Sequence, residues 1–210
     1  MITVFNMVKL DLFTLKSQIG AYLTVPAVIG MFCMMDSSLL LLSVTAAWLI
    51  LIINTNLFAI QEKYGLERLY SSLAITKKTF ILGRYFSTIF NFIIAFIVSI
   101  LMSFCFFAFR GRMPGLYEVF TAFCLSLLVF SFVLAVQLPI YFRFGYSKGR
   151  YLSLFPFIAV FGIGILSFLV EKIDVILKYI LAHDISFLCL AGSIIVLVIS
   201  YFISLLCYKK

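Results

Sequence analysis

The sequence predicts an all-α membrane protein with six membrane-spanning helices in a single domain over residues 1–210. The first observation is composition: 65% of the 210 residues are hydrophobic and 11% are charged, whereas soluble proteins have about 25% charged residues. The second is the spacing of the charges, which leaves six uncharged stretches of 19 to 25 residues. The third is the uneven distribution of Lys and Arg along the chain. Together these observations exclude a soluble enzyme, a disulfide-rich secreted domain and a disordered chain.

The uncharged stretches have the length of membrane spans. A helix crosses the hydrocarbon core of a bilayer, about 30 Å thick, with roughly 17–25 apolar residues. Strands of a membrane barrel would alternate polar and apolar residues, and runs such as Phe-Ile-Ile-Ala-Phe-Ile-Val at 92–98 do not alternate. We therefore expect six helical spans, at about residues 18–35, 38–60, 82–109, 118–142, 152–170 and 186–207.

The basic residues predict the orientation of the chain. With six crossings, twelve of the sixteen Lys and Arg residues lie on the side of the membrane that holds both termini. The positive-inside rule then predicts that both termini are cytoplasmic. Anionic lipid headgroups at that face explain the net charge of +8, so we expect membrane lipid and no nucleic acid as a partner. The first apolar stretch lacks a basic leader and a small-residue cleavage site, and is expected to be retained.

The segment before the first span is predicted to be an interfacial helix. Lys9 and Lys16 share nearly the same helical face. An apolar stripe lies beside them, formed by Val4, Val8, Leu12 and Leu15. This pattern is typical of a helix that lies in the inner membrane interface. The alternative is an amino-terminal extension of the first span.

Two connections between spans also have helical patterns. In the longest inner loop, residues 61–84, apolar residues recur at helical spacing, and Thr76 is then expected to cap the helix of the third span. A short amphipathic helix of this kind docks into a groove of a partner protein; the alternative is a solvated loop that only orients the chain. Residues 171–184 are expected to form an outer helical segment, either on the membrane surface or re-entrant into the bilayer.

Residue types that support catalysis or metal binding do not form a pattern. His183 is the only histidine, the five cysteines are scattered, and no HExxH, CxxC or P-loop motif occurs. Every Asp and Glu is expected at the end of a span or in a loop, which predicts no buried acid and no proton relay. We therefore expect no catalytic residue, no metal site and no enzyme activity in this chain. Any transport would need energy from a partner.

Two short runs carry a resemblance to a known family. The run from Glu62 to Lys78, followed by Gly83-Arg84-Tyr85, resembles the inner loop of ABC-2 type permeases, although Ala74 stands where that family usually has proline. Residues 8–12 resemble the amino-terminal Lys-Asp motif of the same family. The branch that the chain resembles comprises small bacterial permeases that export phenol-soluble modulins or confer resistance to antimicrobial peptides. The resemblance implies a bacterial plasma-membrane protein with a second permease chain, identical or paralogous, and two ABC ATPase subunits that bind ATP and Mg.

The resemblance also implies two sets of site residues. The inner loop would be the coupling helix, seated in an ATPase groove through Glu62, Lys63, Tyr64, Glu67, Arg68, Tyr70 and Leu73. A substrate path at the interface between two permease chains would be lined by Asn54, Asn56, Asn91 and Gln137. The alternative for these four amides is hydrogen bonding between helices.

The function that the resemblance implies is the membrane subunit of an ATP-driven exporter. Its substrate would be an amphipathic peptide or another hydrophobic or lipid-like molecule. The alternative is a non-transporting six-span membrane protein with an immunity or regulatory role. Binding of an ATPase subunit would distinguish these two functions.

Overall fold

The computed structural model of the chain describes residues 4–16, 19–35, 38–66, 76–111, 113–160, 162 and 185–208. Within these ranges there is no strand, and a helical stretch at 155–160 accompanies six longer helices. The longer helices are α1 (Val4–Lys16), α2 (Ile19–Met34), α3 (Leu39–Lys63), α4 (Lys77–Phe109), α5 (Leu116–Leu152) and α6 (Ile185–Cys207). The prediction of an all-helical chain is confirmed over the described residues.

Four of the helices in these ranges are long and apolar enough to cross a membrane. They are α3, α4, α5 and the part Ser186–Cys207 of α6, while α2 contributes a shorter apolar helix, Gly20–Met34. At 1.5 Å per residue, the 25 residues of α3 extend about 38 Å, which exceeds the hydrocarbon thickness. Residues 161 and 163–170 of the predicted fifth span, and the outer segment 171–184, lie outside the described residues. The number of six spans therefore stays a prediction.

The connection between α3 and α4 is bounded by local signals in the sequence. Gly65 follows the end of α3 with a φ of 61°, a left-handed conformation that glycine adopts without a steric penalty. Thr76 precedes α4, and its hydroxyl accepts a hydrogen bond from the Thr79 amide at 3.3 Å. The predicted cap at Thr76 is confirmed. The carboxyl end of α3 and the amino end of α4 are therefore both defined by local interactions.

The helix α5 contains a sharp turn at Gly145. This residue has a φ of 73° and a ψ of −179°, while the rest of α5 keeps helical angles. The chain turns back there, because a Cβ atom at Gly149 would lie 3.0 Å from Tyr141 Cδ1, whereas these two positions are about 12 Å apart along a continuous helix. The Tyr141 hydroxyl also hydrogen-bonds with the Ser153 hydroxyl at 2.7 Å. Residues 116–144 and 146–152 therefore form two helical segments.

The core lies between α3, α4 and α5, and the other helices surround it. Phe92 of α4 stacks on Phe130 of α5 with ring centroids 4.5 Å apart. The helices α1 and α2 pack against α3 and α4, and α6 packs against α5 and α4. In the membrane-spanning window, 50% of residues are buried for α3 but only 22% for α6. Much of the apolar surface of α6 is therefore available to lipid.

Candidate functional site

Arg84 of α4 is a fully buried charged residue near one end of the helix bundle. Its Nη1 atom lies 3.2 Å from Oδ1 of Asp11 in α1, and both side chains are almost completely shielded from solvent. Its Nη2 atom donates a 2.6 Å hydrogen bond to Oε1 of Gln61 in α3. One guanidinium group therefore links three helices. We refer to Asp11, Gln61 and Arg84 as the Arg84 junction.

Aromatic rings enclose the guanidinium group of the Arg84 junction. The Cζ atom of Arg84 lies 5.2 Å from the ring centroid of Phe58 and 5.4 Å from that of Phe80. Phe142 packs against both rings, with centroid distances of 5.8 and 6.1 Å. A cation over an aromatic face is attracted by the ring quadrupole, and these rings also exclude water. The charges of Arg84 and Asp11 therefore act on each other with little solvent screening.

Asp11, the acidic residue of the Arg84 junction, is buried, and its pKa is changed. The sequence predicted no buried acid, and this expectation is wrong for Asp11, whose side chain has no solvent-exposed surface. Burial raises the pKa of the Asp11 carboxyl, and the positive charge of Arg84 acts in the opposite direction. Removing either partner would leave the other charge buried and unpaired, which costs about 3–5 kcal/mol. The pair is therefore sensitive to any motion that separates α1 from α4.

Glu62 makes a second contact at the same end of α3. Its Oε2 atom accepts hydrogen bonds from the Tyr146 amide at 2.7 Å and the Ser147 amide at 3.0 Å, and its Oε1 atom accepts one from the Ser147 hydroxyl. Glu62 lies beyond the predicted span of residues 38–60. The Ser147 hydroxyl and the two amides hold the pKa of the Glu62 carboxyl below its usual value, although partial burial opposes them.

Tyr85 extends these links to α6. Its hydroxyl hydrogen-bonds with the Ser200 hydroxyl at 2.5 Å and the Ser204 hydroxyl at 2.9 Å, both in α6. The Ser200 hydroxyl in turn donates to the Ala135 carbonyl of α5 at 3.1 Å. The consecutive residues Arg84 and Tyr85 thus connect α4 with α1 and α3 on one side and with α6 on the other.

Three of the seven predicted ATPase-coupling residues lie within the described part of the chain. Glu62 is exposed, but its carboxylate accepts the hydrogen bonds from Tyr146 and Ser147 described above. Lys63 and Tyr64 are exposed, and the Lys63 ammonium lies 5.6 Å from the Tyr64 ring centroid. The other four, Glu67, Arg68, Tyr70 and Leu73, lie outside the described residues. Docking of this loop to an ATPase stays a prediction.

The four amides predicted to line a substrate path are not equivalent. Asn91 Nδ2 donates a 2.9 Å hydrogen bond to Asn54 Oδ1, and both side chains are buried. Gln137 is also buried, whereas Asn56 is half-buried. Asn54 and Asn91 therefore bond between helices, as the alternative interpretation expected. Contact of any of the four with a substrate stays a prediction.

Two features of this end of the bundle were missed by sequence reasoning. Neither the pairing of Asp11 with Arg84 nor the contact of Glu62 with the turn at Gly145 was expected. The available signal was that Asp11 and Arg84 each belong to one of the two short runs that carry the family resemblance. Within the described ranges, no group of three or more His, Cys, Asp or Glu side chains could hold a metal ion.

Comparison with known proteins identifies the family of this chain. A family profile described as ABC-2 family transporter protein matches residues 6–209, a range that includes the Arg84 junction and the turn at Gly145. No curated protein and no solved structure matches the sequence. Association with ABC ATPase subunits is general in that family. Because the match covers nearly the whole chain, the protein belongs to the ABC-2 transporter family and is a membrane protein with several spanning helices.

Proposed function

We propose that this chain is the permease subunit of an ATP-driven exporter in the bacterial plasma membrane. Separate ATPase subunits would act on it at the connection between α3 and α4. The family match supports the class of transporter. The observation that carries the mechanical part is the Arg84 junction, because it fixes both helix ends that flank this connection.

The Arg84 junction makes the two helix ends move together. The connection follows α3 at residue 64 and ends at the cap of α4. The 2.6 Å bond between Gln61 and Arg84 joins the helices close to these ends. A force on the connection is therefore applied to α3 and α4 as a pair, and through Asp11 also to α1. The 33 residues of α4 transmit it over about 50 Å.

In this proposal the ATPase contacts the end of α3 and the connection that follows it. Lys63 and Tyr64 are exposed at the end of α3, and the predicted contacts Glu67, Arg68, Tyr70 and Leu73 follow in the sequence. Charged residues at a groove rim determine partner choice more than affinity. ATP and Mg would be bound by the ATPase subunits, since this sequence has no P-loop.

The substrate in this proposal is an amphipathic peptide or another hydrophobic or lipid-like molecule. Exposed apolar side chains line α4 and α6, among them Phe86, Phe90, Phe187 and Phe202. A second permease chain, identical or paralogous, would complete the path. The half-buried Asn56 is the candidate amide with access to it.

Co-purification with an ABC ATPase encoded beside this chain tests the proposal. We expect the unmodified chain to retain the ATPase and the double variant Glu67→Lys, Arg68→Glu to lose it. Glu118→Lys is the matched control, because Glu118 is an exposed acid at the start of α5, and this variant should retain the ATPase. If the unmodified chain retains no ATPase, the alternative of a non-transporting immunity or regulatory protein is favoured. Unchanged binding by the double variant would contradict the docking role of the connection.

A further inference from the structure

We propose that Glu62 is a positioning residue that fastens the end of α3 to the turn in α5. We refer to Glu62, Gly145, Tyr146 and Ser147 as the Glu62 latch. Motion of the α3–α4 connection reaches α5 through this latch, in addition to the path through the Arg84 junction. That an ATPase drives this motion rests on the proposed function, whereas the contacts of the latch are all within this chain.

The carboxylate of Glu62 uses both oxygens in the latch. Oε2 accepts from two consecutive amides, at 2.7 Å from Tyr146 and 3.0 Å from Ser147. Oε1 accepts from the Ser147 hydroxyl. Hydrogen bonds to an ionised acceptor are roughly twice as strong as those between neutral groups. Three such bonds hold one residue of α3 against two adjacent residues of α5.

The turn at Gly145 supplies the two amides. A helix interrupted at Gly145 leaves the first amides of the following segment without a carbonyl partner in the preceding turn. Gly145 has a positive φ of 73°, and a Cβ atom there would lie 3.4 Å from Glu62 Oε2. Glycine therefore permits the backbone turn, and the carboxylate lies within ordinary contact distance of it.

The residues around the turn pack closely together, so we expect them to move with the latch as one unit. Gly149 packs against Ile140 and Tyr141: a Cβ atom on Gly149 would lie 3.3 Å from the Ile140 side chain and 3.0 Å from the Tyr141 ring. The Tyr141 ring also stacks on Phe58 of α3, with centroids 4.8 Å apart. Phe58 precedes Glu62 by one helical turn, so α3 contacts this unit at two successive levels. When the end of α3 is displaced, the turn is therefore expected to move with it, and α3 does not slide past the turn.

Two neighbouring side chains of α3 thus bond to different helices at this end of the bundle. Gln61 bonds to Arg84, and through it α3 is linked to α4 and α1. Glu62 bonds to the second segment of α5. Lys63 and Tyr64 are exposed and are available to a partner. Glu62 is also exposed, but its two carboxylate oxygens already accept hydrogen bonds from this chain. We therefore assign it a positioning role within the chain, in contrast to the ATPase contact that the resemblance implies for it.

Amide hydrogen exchange of the purified full chain in lipid nanodiscs tests the latch without any partner. We expect Glu62→Ala to accelerate exchange at the Tyr146 and Ser147 amides about tenfold, with Glu62→Gln giving a smaller acceleration in the same peptides. Glu118→Gln, which neutralises an exposed acid at the far end of α5, should leave these amides unchanged. Unchanged exchange in Glu62→Ala would overturn the latch. Amides of α6 report whether the variant is folded.

A complex with the ATPase tests the positioning role. We expect Glu62→Ala to retain the ATPase, because Lys63 and the residues after it are intact, but to lose substrate stimulation of ATP hydrolysis about tenfold. Charge reversal at Glu67 and Arg68 should give the opposite pattern, loss of binding. Normal stimulation in Glu62→Ala would overturn the positioning role. If the unmodified chain binds no ATPase, the proposed function fails, and the exchange rates alone decide on the latch.

Discussion

The two ends of α4 each carry an arginine, and the two arginines are in very different surroundings. Arg84, near the start of α4, is buried between two aromatic rings and contacts Asp11 and Gln61. Arg110, just past its end, is exposed, and its Nη2 atom donates to the Met34 carbonyl at 3.2 Å. The same residue type therefore joins three helices at one end and bonds to a surface carbonyl at the other.

This difference indicates where the bundle resists deformation. An exposed charged contact contributes roughly 0–1 kcal/mol, because water competes for both partners. A buried charge that loses its partner costs several times more. The end with the buried Arg84 junction is therefore expected to move as one body, and the end with Arg110 to tolerate local rearrangement. An input of mechanical work is transmitted best through the first of these ends.

Replacement of each arginine by methionine gives the largest expected contrast. Arg84→Met leaves the Asp11 carboxylate buried without its partner and should lower the free energy of unfolding by about 3–5 kcal/mol. Arg110→Met should change it by less than about 0.5 kcal/mol. Denaturant unfolding of the purified chain in detergent measures both values. Equal losses in the two variants would contradict the comparison between the two ends.

The turn at Gly145 should be the next most sensitive feature. Gly145→Ala places a Cβ atom on a residue with a φ of 73° and a ψ of −179°, a conformation nearly restricted to glycine, and should cost about 1–3 kcal/mol. Gly192→Ala is the matched control, because Gly192 lies within α6 and a Cβ atom there has no neighbour within 4 Å. The same unfolding measurement should show no loss for the control. A tolerated Gly145→Ala would mean that the turn is readily remodelled.

The amide pair between the two ends should give the smallest effect. A double-mutant cycle of Asn54→Ala and Asn91→Ala should yield a coupling free energy of about 0.6 kcal/mol, typical of one interhelical hydrogen bond in a membrane. A cycle of Asn56→Ala with Asn91→Ala should yield no coupling, because Asn56 is half-buried and lies on a different face of α3 from Asn54. Equal coupling in both cycles would show that the 2.9 Å bond between Asn54 and Asn91 does not account for the coupling.

The helical character of the chain could be predicted because it depends on local patterns. Uncharged stretches of sufficient length identify apolar helices such as α3 and α4 regardless of what they pack against. The cap at Thr76 was likewise readable, since a threonine accepts a bond from an amide only three residues away. Such features need no knowledge of the tertiary structure.

The contacts of the candidate site could not be predicted because their partners are distant in the sequence. Asp11 was treated as a boundary residue, since nothing near it in the chain indicates that α1 packs against α4. The resemblance implied an ATPase contact for Glu62, and its bonds within the chain were not expected because the amides of Tyr146 and Ser147 are backbone groups that carry no sequence signal of their own. Asn54 and Asn91 were both selected as unusual amides, but only the packing of α3 on α4 pairs them.

The position of Asp11 has a consequence for the biogenesis of the protein. The chain is synthesised from its amino terminus, so α1 emerges from the ribosome long before α4. During that interval the Asp11 carboxylate lacks the guanidinium group that it contacts in the finished fold. The amino-terminal helix therefore reaches its final place only after α4 has been translated, which makes its docking a late step in assembly.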